Sequence, residues 1–159
     1  MGLDMYLTAR LGICKYDKKF LKQADKTRKL FPEMFKVDNL DTIEVGFEAG
    51  YWRKANAIHK WFVDNCQEGN DDCRPGYVSR ENLEELRKLC RKVLDSKDFD
   101  DEEVLRALED DELPTVDGFF FGTSEKDEWY WDSIEHTIKI ITKCLELPKE
   151  WTFEYVSSW

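Results

Sequence analysis

The chain has 159 residues and a formal net charge of −10, with 42% hydrophobic and 14% aromatic residues. That length fits a single globular domain, 1–159, and the apolar share is enough to build its core unaided. So large a negative surplus repels DNA and RNA unless the cations are segregated, which argues against a general nucleic-acid binder.

Leu3, Met5 and Leu7 alternate with Asp4, Tyr6 and Thr8, the period of a half-buried strand, expected from Leu3 to about Gly12. Asp17 to Lys29 reads as a helix with Phe20, Ala24 and Thr27 on one side and lysines on the other, and Pro32 closes it. Alternation returns over Thr42 to Ala49, with Ile43, Val45 and Phe47 on one face. Gly46 and Gly50 there indicate a bulge and a tight exit. A helix is expected at once, from Tyr51 to Asn65, with Ile58, Trp61 and Phe62 as its apolar stripe. Gln67 to Gly76 is turn-rich and reads as a loop.

Ser79 is placed to cap a helix over Arg80 to Asp95 that buries Leu83, Leu86, Cys90 and Val93. Asp100 with Glu103 resembles a capping box for a short helix, Asp101 to Leu108. Phe119-Phe120-Phe121, between Gly118 and Gly122, forms either a short buried strand or an aromatic loop. Ser124 caps the last helix, Glu125 to Leu147, with Trp131, Ile134, Ile138, Ile141 and Leu145 inward and Pro148 as its stop. Trp151 to Ser158 alternates as a final strand. The expected class is α+β: a small, mainly antiparallel sheet of three or four strands with four or five packed helices.

The five cysteines are odd in number and follow no basic-then-apolar leader, so they read as free thiols of a reducing cytoplasm. No apolar run approaches the length of a membrane span, so no membrane partner is expected.

The most informative segment runs Tyr51-Trp52-Arg53-Lys54-Ala55-Asn56-Ala57-Ile58-His59-Lys60-Trp61-Phe62. At a helix start, free backbone N–H groups and the dipole favour an anion, and two cations there make sense beside one. Trp52 or Tyr51 offers a flat surface for a base, Asn56 and His59 offer hydrogen-bonding edges, and Arg53 with Lys54 suits phosphate. The same residues also fit an amphipathic helix with Trp52, Trp61 and Phe62 in the core and the cations in solvent.

A second candidate, Leu113 to Thr123, would bring Thr115 and Phe120 to a ligand through its flanking glycines, or else form a buried strand. On the last helix Glu128, Asp132, Glu135 and His136 share a face with divalent-metal spacing, but that face lies opposite the apolar one and reads as exposed acid. No metal and no cofactor is expected. GxSxG, HExxH, Walker and GxGxxG patterns are all missing, so no catalytic residue is assigned and binding is favoured over turnover. Two other readings stay open: an acidic interaction module using Asp98 to Glu112, and a metal-assisted nucleotide hydrolase.

Met1-Gly2-Leu3-Asp4-Met5-Tyr6-Leu7, the block Tyr51 to Val63, and Leu113-Pro114-Thr115 with Gly118 to Gly122 resemble a family of small phage and prophage proteins, and with it the anti-CBASS sponges. That resemblance implies a homo-oligomer, a dimer or tetramer, in the infected bacterial cell. It would sequester a cyclic dinucleotide or oligonucleotide immune signal without hydrolysing it, at sites near subunit interfaces.

Overall fold

The computed structural model describes residues 2–14, 16–33, 42–97, 113–115 and 126–159. In chain order it holds β1 (Asp4–Cys14), α1 (Lys18–Leu30), β2 (Thr42–Arg53), α2 (Asn56–Cys66), β3 (Gly76–Val78), α3 (Arg80–Asp95), α4 (Glu128–Glu146) and β4 (Thr152–Ser158). The four strands form one antiparallel sheet in the order β2-β1-β4-β3. With four helices among the described residues this is the expected α+β class. The expected helix 101–108, Phe119 to Phe121, Ser124 and the stretch 98–112 lie outside the described residues.

The two faces of the sheet follow from strand periodicity. Leu3, Met5, Leu7 and Ala9 are fully buried on one face, where Trp52, Val78, Phe153 and Tyr155 join them. That face meets Ile58 and Phe62 of α2, Leu83, Leu86 and Cys90 of α3, and Ile134, Ile141 and Cys144 of α4. At the centre the Phe62 and Tyr155 rings stack 4.2 Å apart, 10° from parallel. Asp4, Tyr6, Thr8 and Arg10 point to the outer face, where Arg10 bridges Glu44 and Glu154 at 2.6 Å each.

Local chemistry accounts for the helix ends. The Ser79 side chain accepts from the Asn82 amide while Asn82 reaches back to the Ser79 N–H, so the expected cap of α3 is a full capping box. Asp127 accepts from the Tyr130 amide and caps α4. Arg80 donates to the carbonyls of Leu145, Leu147 and Pro148 and so covers the C-terminal end of α4. The buried positions of α4 are Tyr130, Ile134, Thr137, Ile140, Ile141 and Cys144, so Trp131, Ile138 and Leu145 sit half-buried at the rim of that stripe.

Two expectations are corrected. β2 does not stop at Ala49: it continues through Arg53, because Tyr51 and Trp52 pair with Tyr6 and Met5 of β1. The helix therefore starts at Asn56, not at Tyr51, and the reversal lies at Lys54, whose φ is +56° and whose amide donates to the Leu3 carbonyl. The expected loop ends at Gly76, and no strand is expected after it; Gly76, Tyr77 and Val78 form β3 and pair with Tyr155, Glu154 and Phe153 of β4.

Candidate functional site

Because residues 51–53 are strand, their side chains alternate between faces. Trp52 points inward and is 2% exposed; its indole N–H donates to the Thr137 hydroxyl at 2.9 Å. It cannot offer a stacking surface, which corrects that part of the nucleotide reading. Arg53 and Lys54 precede α2 and take no place in its first turn, which corrects the anion-at-the-helix-start geometry.

Tyr51 and Arg53 point outward together. Tyr51 is 38% exposed, and the Arg53 side chain is 63% exposed. Tyr6, opposite Tyr51 on β1, places its ring 5.4 Å away at 47°. Asp4 accepts from the Tyr51 hydroxyl and lies 4.0 Å from the Arg53 Nε. That hydrogen bond pushes the Tyr51 phenol pKa up, since the phenolate would face a carboxylate. Lys54 is exposed, and its aliphatic stem crosses Gly2, where a Cβ would lie 3.2 Å from the Lys54 Cε. Arg53 thus faces the Asp4 carboxylate beside an aromatic pair. Nothing in the sequence marked Tyr6 and Asp4 for this role, because cross-strand register is not legible there.

Asn56 and His59 are buried, 6% and 4% exposed, and go to a different place. They line a cleft of about 230 Å³ with Lys60, Val63, Asp64, Gly69 and Asp71. His59 Nε2 lies 3.1 Å from Asp71 Oδ2, and Nδ1 lies 2.7 Å from the Tyr155 hydroxyl. A carboxylate only accepts, so Nε2 carries the proton in the neutral ring and Nδ1 accepts from Tyr155. Burial, followed by the nearby Asp71, pushes the Tyr155 phenol pKa far up, so it stays a donor. Asp71 also accepts from the Trp159 indole at 3.1 Å, and Lys60 is paired to Asp64 at 2.6 Å.

The remaining candidates fall elsewhere. Thr115 is half-buried, beside Leu113 and Pro114, which meet Ala57, Lys60 and Trp61 in a groove of about 520 Å³ between α2 and α3. Leu113 is 3% exposed and its carbonyl accepts from the Tyr130 hydroxyl. Phe120 lies outside the described residues. Glu128, Asp132 and His136 are exposed, and His136 donates from Nε2 to the Tyr51 carbonyl at 3.0 Å, tying α4 to the edge strand. No cluster of three or more metal-ligating side chains occurs among the described residues. No described helix is long and apolar enough to cross a membrane. All five cysteines are free, and burial pushes the Cys66 and Cys90 thiols up to about 12 and Cys144 to about 11. Comparison with family models, curated proteins and solved structures found no match to this chain.

Proposed function

We propose that this chain binds a small anionic nucleotide on the outer face of its sheet and holds it without hydrolysis. One observation carries the reading: Tyr51 and Arg53 stand exposed side by side next to Tyr6, an aromatic pair with a guanidinium at its edge. A base stacking on such a platform contributes about 1–3 kcal/mol, whatever its identity. Arg53 is available to phosphate, since its contact with Asp4 is long and exposed and worth about 0–1 kcal/mol. Lys54 adds a second cation from a backbone conformation that costs a non-glycine residue on the order of 1 kcal/mol, the kind of strain that collects at functional sites.

The resemblance of the opening residues and of the Tyr51 to Val63 block to the anti-CBASS sponges narrows the ligand to a cyclic dinucleotide or oligonucleotide, bound by a homo-oligomer in the cytoplasm of an infected cell. Calorimetry against a panel of cyclic dinucleotides, with the ligand recovered and checked for intact linkages, tests this. Stoichiometric binding of at least one member with full recovery is expected. Silence across the panel from folded protein overturns the reading, and cleaved ligand overturns the sequestration part of it.

A further inference from the structure

The His59 cleft has a chemistry unlike that of the outer face. We infer that it is a second binding site, which takes a planar pair of N–H donors, the edge shared by a guanidinium group and by guanine.

Size comes first. Drug-sized ligands occupy pockets of roughly 300–1,000 Å³, and liquid water takes about 30 Å³ per molecule. A cleft of about 230 Å³ therefore holds one flat polar group and not a whole nucleotide. Charge comes next. Asp64 and Asp71 face a single cation, Lys60, whose ammonium is already committed to Asp64 at 2.6 Å. Both ring nitrogens of His59 are engaged, by Asp71 and Tyr155. Among the described lining residues the two carboxylates outnumber the one cation, which favours a donor over a phosphate.

Asp71 supplies the directional element. Its Oδ2 accepts from His59 and its Oδ1 from Trp159, one bond per oxygen, while a carboxylate has about four acceptor sites. Its side chain is 31% exposed and lines the cleft, so capacity remains on both oxygens. Held from two sides, the carboxylate is pre-organised for two parallel N–H donors, the fork geometry of charge-assisted pairs. Val63 gives the ring of such a group an apolar surface, and the buried Asn56 amide lies alongside.

The test is long-range ¹H–¹⁵N NMR of the imidazoles in the full chain, with His136 on α4 as the internal reference. Methylguanidinium, guanosine and adenosine are titrated separately; adenosine has no donor pair. The His59 signals move with methylguanidinium, with guanosine or with both, which identifies the source of the edge, while those of His136 and the adenosine titration stay flat. Asp71→Asn weakens the response about tenfold or more, the scale of a lost charge-assisted bond. Lys60→Ala, at the cleft rim, strengthens it several-fold by unmasking Asp64. Silence with both donor probes, an equal response to adenosine, or weaker binding in Lys60→Ala overturns the inference. Arg53→Ala leaves the His59 response unchanged, so failure here and failure on the outer face are told apart.

Discussion

Thr137→Val separates the two uses of the aromatic block. Thr137 is fully buried; its hydroxyl accepts from the Trp52 indole at 2.9 Å and donates to the Ser133 carbonyl at 2.6 Å. Valine keeps the shape and removes the acceptor. The Ser133 carbonyl retains its place in the helix ladder, so the loss concentrates on Trp52, whose N–H is left buried without a partner. An orphaned buried donor costs about 1–3 kcal/mol. With a urea slope of about 1–3 kcal/mol/M, the unfolding midpoint falls on the order of 1 M. For a chain of this length the melting temperature falls by about 2–4 °C per kcal/mol. Trp52→Phe removes the donor instead, and the double variant is less destabilised than the sum of the two singles, because the pair shares one interaction. Nucleotide affinity on the outer face stays at its wild-type value in Thr137→Val. An unmoved midpoint, or additive single effects, refutes the assignment of Trp52 to the core. Lost affinity from a protein of unchanged stability returns Trp52 to the ligand.

Arg53→Ala costs about 1.5–3 kcal/mol of nucleotide binding by calorimetry, the value of a charge-assisted phosphate contact, whereas Asp4→Asn strengthens binding by removing the competing carboxylate; wild-type affinity in both places the ligand elsewhere. Gly50→Ala puts a Cβ 2.6 Å from the Ile140 Cγ2, and overpacking of that kind costs about 1–3 kcal/mol by urea denaturation. Cys14 is exposed and reacts with iodoacetamide ahead of Cys66, Cys90 and Cys144. Because burial raises those three folded-state pKa values, stability is unaffected below the ordinary thiol pKa of 9.0 and declines as pH rises above it, when the unfolded chain ionises and the folded one does not. A stability curve that stays flat from pH 8 to about 10.5 in a variant retaining only these cysteines refutes that linkage.

Wherever one face of an element meets the core, its outline was legible. The alternation of Leu3, Met5 and Leu7, the spacing of Leu83, Leu86 and Cys90, and Ser79 as a cap all follow from local periodicity and capping chemistry. The end of β2 was not legible, because Tyr51 and Trp52 carry helix and strand patterns equally well until Tyr6 and Met5 are known to lie opposite them. For the same reason the sequence puts Arg53 and Lys54 in the first turn of a helix from Tyr51, whereas the helix begins five residues later, at Asn56. The sequence groups His59 with Trp52 and Arg53 as a hydrogen-bonding edge, whereas its partners are Asp71, twelve residues on, and Tyr155, on the last strand, which reach it only through the fold.

The separation of Trp52 from Tyr51 and Arg53 turns on a single extra residue. β1 and β2 pair as Thr8 with Glu48 and Leu7 with Gly50, so Ala49 has no partner of its own. Glu44, Gly46 and Glu48 lie opposite Gly12, Arg10 and Thr8, and so belong to the outer face. Without the extra residue that parity would carry on through Gly50 and Trp52, and would turn Tyr51 and Arg53 inward. A guanidinium in a core lined by Ile134, Ile141 and Phe62 would be left unpaired there, at a cost no fold of this size sustains. The shift at Ala49 puts indole under α4 and phenol with guanidinium outside. It also lets Gly50 take the inward position where Ile140 leaves no room for a side chain. A bulge beside a functional face re-aims side chains in this way. Here it converts one continuous aromatic and basic run into a core anchor and an exposed platform.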